Sequence, residues 1–291
     1  MNFISGQELL ELCKKKQIPI SMIMKQREII EGNLNESKIE EKLDEIIKIM
    51  HEATHEPIKT PGKSMGGLIG GEAKKIVEHQ KSNSFLAGQF LSNAIAYSMA
   101  VQEKNASMGL IVAAPTAGSA GVVPGVLFAI REDKQLTDDI LKKGILAASA
   151  IGYLIMLNAT VAGAEAGCQA EIGVASAMAA AAAVEMLGGT PQMCLDAASM
   201  AMSNLLGLVC DPIAGLVEVP CQTRNAIGVA NAITCAELAL SGITFVVPFD
   251  EMVAAMYAVG QSMPASLRET AMGGCAATPT GKAIACGKHC Q

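Results

Sequence analysis

The stretch from 172 to 187, IGVASAMAAAAAVEML, is small or apolar at almost every position and offers no polar face. A helix written this way has no side to turn to water, so other helices or lipid must enclose it. The whole chain shares the bias. Hydrophobic residues make up 51% of the 291, yet aromatics are only 3% and Trp is absent. Ala, Gly and Met fill the space instead. Small side chains let helix backbones approach closely, and Met fills irregular gaps. No region alternates apolar and polar residues over strand length. The sequence therefore reads as all-α, a compact helical domain with buried Ala/Gly/Met-rich central helices and its function in loops.

Lipid as the enclosing medium is the first alternative, giving a small-residue-rich integral membrane protein. Gly144–Gly163 is long enough to span a bilayer. Asn158 sits inside it, however, and Glu165, Glu171, Glu185 and Glu237 interrupt the other apolar runs. A carboxylate at bilayer depth costs about 2.5–3.5 kcal/mol. Aromatic belts are missing and Lys/Arg show no loop asymmetry, so no membrane is expected. A net charge of −6 without a Lys/Arg-rich run argues against nucleic acid. The start, MNFISGQELLELCKKK, lacks a basic segment followed by an apolar run, and a cytoplasmic protein is expected. Nine cysteines without secretory context point to reduced thiols or metal ligands rather than disulfides.

Residues 1–56 read as N-terminal amphipathic helices. Ser5-Gly6-Gln7-Glu8 has capping-box spacing, and Ile39, Leu43, Ile46, Ile47 and Met50 recur at helical spacing until Glu56-Pro57 stops the helix. PIKTPGKSMGGLIGG (57–71) is a Pro/Gly-rich loop. Helices are predicted near 72–81, 84–104, 137–161, 172–187, 191–206, 222–240 and 249–261, with Thr190-Pro191 as a cap and first helical residue. Loops at 57–71, 105–125, 163–171 and 207–225 carry the function. The expected division is a catalytic helical domain over 57–275 and a loosely structured, Cys-containing tail over 276–291.

Three motifs bear on chemistry. His51-Glu52-Ala53-Thr54-His55 matches the H-E-x-x-H pattern for zinc, but that needs a third ligand and a cleft, only His79 and His289 remain as histidines, and the helix reads as a solvated face. Gly62-Lys63-Ser64 ends like a P-loop, yet Pro57 replaces the first glycine and no strand precedes it. GGLIGG (66–71) precedes a helix, so its amides either hold a carboxylate or simply form a tight turn. Finally, Cys168 lies in GAEAGCQAEIG (163–173), and Cys210 and Cys221 bracket CDPIAGLVEVPC. Pro212 and Pro220 stiffen that loop, so little entropy is lost when its thiolates bind. Long loop-borne spacing suits an iron–sulfur cluster better than a zinc finger, while small core cysteines remain the plain alternative. Cys13, Cys194 and Cys235 lie in predicted helices and read as core.

NASMGLIVAAPTAGSAGVVPGVL (105–127), GAEAGCQAEIGVASAMAAA (163–181) and GLVCDPIAGLVEVPCQTRNAIG (207–228) together resemble the α chain of the iron–sulfur L-serine dehydratases. The similarity runs from about residue 60 to residue 275. It implies an all-helical domain, a [4Fe–4S] cluster on Cys168, Cys210 and Cys221, and conversion of L-serine to pyruvate and ammonia. It also implies a histidine base in an SSHT motif on a β chain. SSHT does not occur here, so the base is expected on that partner and none in this chain. Ser64, Thr116, Ser119, Arg224 and Asn225 are candidates for holding substrate, with Arg224 alternatively paired to Glu218 or another carboxylate. At least one of Glu165 and Glu171, which flank Cys168, is expected to serve the site. Fused members carry a near-terminal cysteine that can plug the open iron; Cys275, Cys286 and above all Cys290 are the candidates for that displaceable ligand. An electron-transfer iron–sulfur protein is the remaining alternative.

Overall fold

The computed structural model of the chain describes residues 2–82 and 84–287. Among them are thirteen α-helices and no strand. The helix that opened the sequence reading, α9 (Val174–Met186), is buried at every position except Glu185. It is sheathed by α7 (Asp138–Asn158), α10 (Pro191–Asn204), α11 (Cys221–Leu240) and α6 (Val122–Asp133). Glycines set the spacing on the α7 side: Gly144 lies against Met186 and Gly152 against Met178, where a Cβ would collide with the thioether. Small residues on one helix thus receive the flexible side chains of the next. Among the described residues α7 is long and apolar enough to cross a membrane, and 56% of that stretch is buried inside the protein.

The N-terminal part wraps this centre. α1 (Gly6–Lys16) begins at Ser5, whose hydroxyl accepts from the Glu8 amide at 3.1 Å, while the Glu8 side chain takes the Ile4 amide. α2 (Ile20–Ile30) packs on α7, and α3 (Glu36–Lys59) on α5 (Gly88–Ala106). Pro57 does not end α3, as the sequence suggested. It is buried inside the last turn, and the Thr60 amide still reaches the Glu56 carbonyl at 2.8 Å. One lost hydrogen bond near the end of a helix is offset by burying the ring.

Three helix starts borrow their caps from distant carboxylates. Asp250 of α12 (Phe249–Ser262) accepts from the Gly6 and Gln7 amides of α1. Glu185 of α9 accepts from the Ser21 amide of α2, whose N-cap is Pro19. Glu103 of α5 takes the Gly71 and Ala73 amides at the start of α4 (Glu72–His79). Each negative charge meets exposed amides at the positive end of a helix dipole.

Two elements differ from the sequence reading. α6 occupies part of the expected 105–125 loop. Pro124 falls in its first turn, where the missing N–H has no helical partner, and Gly125 lets α6 approach the Ala94 carbonyl and Ser98 of α5. The expected loose tail instead forms a turn at Gly274–Ala277 and α13 (Pro279–Ala285), where the Thr278 hydroxyl accepts from the Gly281 amide at 3.0 Å. Cys13, Cys194 and Cys235 are buried, as read.

Candidate metal centre

Two connecting segments carry the cysteines: one leads from the short α8 (Gly163–Ala166) into α9 and the other joins α10 to α11. Cys168 follows α8 and immediately precedes a π-helical turn at Gln169–Gly173. Insertions of this kind re-aim side chains and recur at functional sites. Gln169 anchors the turn: its amide nitrogen donates to the Met256 carbonyl, and its oxygen accepts from the Gly207 amide. The Cys168 loop and the segment leading to Cys210 are thereby tied together. Cys210 is pinned on its other side to 267–269, its amide donating to the Leu267 carbonyl and its carbonyl accepting from the Glu269 amide. Cys221 opens α11 directly behind Pro220.

All three thiols are buried. One donor atom each from Cys168, Glu171 and Cys210 lies within 4.8 Å of the others. The Glu171 carboxylate is 3.8 Å from the Cys168 sulfur and 3.6 Å from that of Cys210. Its second oxygen accepts from the Thr116 hydroxyl at 2.8 Å. Gly163 and Gly118 hold open the room it occupies, since a Cβ at either would press on the carboxylate. Cys221 stands outside this tightest group but feels it. Burial pushes its thiol up, the charges of Cys168 and Glu171 push further, and Arg224 opposes them. Hydrogen bonding with Cys168 and then burial raise Cys210, and burial raises Glu171.

Cys210, Cys221 and Glu171 are all raised because water cannot spread their charge in this buried place. A multivalent cation among them removes that cost, and soft sulfur donors select iron–sulfur or zinc centres. The donor set therefore fits a metal group. One cation is already present. The Arg224 guanidinium pairs with Asp211 at 2.7 Å, bonds the Val209 carbonyl and faces Cys168. The partner of Arg224 is thus Asp211, not Glu218. The other Asp211 oxygen accepts from the Cys275 amide at 2.6 Å, bringing the half-exposed Cys275 to the rim.

The five expected substrate contacts divide. Thr116 sits at the centre on Glu171, and Ser119 stands behind it at 3.1 Å. Arg224 borders the thiols. Asn225 is consumed structurally: it donates to the Gly118 and Cys221 carbonyls and accepts from the Gly121 amide. Ser64 donates to Glu218 at 2.7 Å. That carboxylate also collects the Gly66 and Leu68 amides at 2.6 and 3.0 Å, so the GGLIGG loop does hold a carboxylate, and the chain itself supplies it. Glu165 is exposed, which leaves Glu171 as the acidic neighbour of Cys168. Cys286 is exposed, and Cys290 lies outside the described residues. Sequence reasoning missed the roles of Asp211 and Glu218, although both lie in the quoted CDPIAGLVEVPC stretch.

The profile of the serine dehydratase alpha chain family matches residues 15–276. The chain is 46% identical to the probable L-serine dehydratase alpha chain of Bacillus subtilis, covering 97% of this chain and 94% of that one. It is equally identical to the L-serine dehydratase alpha chain of Peptoniphilus asaccharolyticus, covering 96% of each. The L-serine dehydratase TdcG of Escherichia coli is 36% identical over 94% of this chain, which spans 62% of that longer protein. Site, fold and similarity agree: the chain belongs to the serine dehydratase alpha chain family.

Proposed function

We propose that this chain is the α subunit of a soluble L-serine dehydratase, converting L-serine to pyruvate and ammonia with a [4Fe–4S] cluster on Cys168, Cys210 and Cys221. The observation that carries the reading is the buried meeting of Cys168, Glu171 and Cys210 in a chain of this family. Cys168, Cys210 and Cys221 would hold the cluster, which would supply Lewis-acid chemistry for loss of the serine hydroxyl. The protein's own groups do the rest. Thr116 fixes the Glu171 carboxylate against the two sulfurs, so that it stays aimed at the reacting end of the site. Arg224, held by Asp211, keeps positive charge beside the thiolates and the substrate carboxylate. Burial excludes water, which strengthens both effects.

The base that removes the α-proton comes from a β chain bearing an SSHT-type motif, and the eneamine left after loss of water hydrolyses to pyruvate and ammonia. Cys275, held at the rim by Asp211, is in this reading the displaceable fourth ligand among the described residues. Anaerobic co-purification with the β chain tests the proposal. Iron and sulfide in equal amounts, near four per α chain, together with serine turnover, are expected. Stoichiometric loss of both in Cys168→Ser supports it; an iron-free wild-type pair that still turns over serine refutes it.

A further inference from the structure

Asn225, one of the expected substrate contacts, is enclosed completely, at 0% exposure. A carboxamide can donate two hydrogen bonds and accept two, and this one makes all four. Nδ2 donates to the Gly118 carbonyl at 2.7 Å and to the Cys221 carbonyl at 2.8 Å. Oδ1 accepts from the Gly121 amide at 3.0 Å and from Nε2 of Gln102 at 3.4 Å. Building on the function proposed above, we infer that Asn225 is a positioning residue of the dehydration site: it sets where the Cys221 thiol stands relative to the Thr116–Glu171 pair.

A continuous line of contacts runs from one to the other. Cys221 is the first residue of α11, and Asn225 lies one turn further on. From there its side chain leaves the helix and grips the turn at 116–121. Gly118 in that turn is pinned from two directions. Its carbonyl takes the Asn225 amide, and a Cβ on it would stand 2.9 Å from Oε1 of Glu171. Thr116, at the head of the same turn, donates to that same oxygen at 2.8 Å. The other Glu171 oxygen faces the Cys168 and Cys210 sulfurs. A shift in the first turn of α11 therefore reaches Glu171 through two short links. Gly121 allows the grip, since a Cβ there would stand 3.0 Å from the Asn225 oxygen. Two more carboxamides brace the turn from α5. Gln102 and Asn105 both donate to the Ala117 carbonyl, at 3.2 and 3.3 Å. Neither bonds Cys221; among the described residues Asn225 alone hydrogen-bonds both the turn and that cysteine. No other side chain fills this role. Aspartate has no donor for the two carbonyls, and glutamine is one methylene too long. A buried network with every member satisfied is rigid, and one missing donor undoes it.

The test uses the full chain paired with its β chain, handled anaerobically, and follows each cysteine separately by mass spectrometry. In the iron-free pair, Asn225→Asp should speed alkylation of Cys221 about tenfold, the worth of one hydrogen bond, while Cys168 and Cys210 keep the parent's rates. In the iron-loaded pair, kcat for serine should fall about 10–100-fold with KM changed less than about threefold. Gln102→Met separates the two ends of the grip: it loosens the turn and lowers kcat but leaves Cys221 labelling at the parent's rate. Where Asn225→Asp does not fold, the smaller, neutral Asn225→Ser is scored by the same rates. Unchanged Cys221 labelling, equal acceleration of all three cysteines, or labelling as fast in Gln102→Met as in the Asn225 variant overturns the inference. A parent pair that holds no iron and turns over no serine sinks the proposed function instead, and the labelling pattern still decides what Asn225 does.

Discussion

Glu218 is the place where the cysteine loop is locked, and its removal has a calculable effect. The carboxylate is 2% exposed and receives the Ser64 hydroxyl and the Gly66 and Leu68 amides. Hydrogen bonds to a charged group contribute about 1.5–3 kcal/mol each, and a buried donor left unpaired costs about 1–3 kcal/mol. Gly66 and Leu68 are half-buried, so water replaces much of their loss, whereas the buried O–H of Ser64 loses its acceptor and the hydroxyl keeps only the Ile69 amide, which donates to it at 3.3 Å. The net cost of Glu218→Ala is then about 3 kcal/mol. With an unfolding entropy of roughly 2.1 cal/mol/K per residue, a chain of 291 residues loses about 5 °C in Tm. Glu218→Gln, which keeps one acceptor but turns an N–H toward other N–H groups, should fall between. Ser64→Ala combined with Glu218→Ala should cost less than the sum of the two, because they share one bond. The functional signature is local. Glu218 lies three positions before Cys221, so the iron-free variant should expose Cys221 to alkylation faster than the parent at temperatures well below Tm. Melting within about 1 °C of the parent, with unchanged Cys221 labelling, refutes the claim that this carboxylate holds the loop.

Two further outcomes follow from buried titratable groups. Burial raises Glu185 above its usual 4.5, so its protonated form is favoured by folding; the associated stability is present below pH 4.5 and is lost as pH rises through the elevated folded value. Urea midpoints across that window should fall with pH in the parent and run flatter in Glu185→Gln; parallel curves refute the assignment. Burial also pushes the Cys13 thiol up to about 12 and that of Cys235 up to about 11, so both stay protonated and enclosed at pH 8 while exposed Cys286 does not share their shelter. Mass spectrometry after native iodoacetamide treatment should find Cys286 modified and Cys13 and Cys235 untouched until urea is added; equal labelling refutes it.

What the sequence carried and what it hid follow a physical divide. Signals confined to one turn were readable: the Ser5 and Thr190 caps lie where their spacing put them, and the apolar run around Ala180 is central because it had no other option. Pro57 misled, since a proline that breaks an isolated helix can be buried in the last turn of a packed one. The three cysteines were found by spacing together with resemblance, and Glu171 by its adjacency to Cys168. The carboxylates that hold the frame were not found, because their partners lie 32 residues away for Glu103, 152 for Glu218, 164 for Glu185 and 244 for Asp250. Their distribution has a reason. A core of Ala, Gly and Met packs closely but discriminates weakly between sliding registers, since small side chains interlock in many ways. A carboxylate must meet particular amides or leave a charge buried unpaired, at a cost of about 3–5 kcal/mol. Each of these four acids joins two segments that are remote in sequence, and each fixes one rotation and one depth of a helix or loop. Placing a few such ties among featureless surfaces lets smooth helices hold two sulfurs and a carboxylate in one small volume.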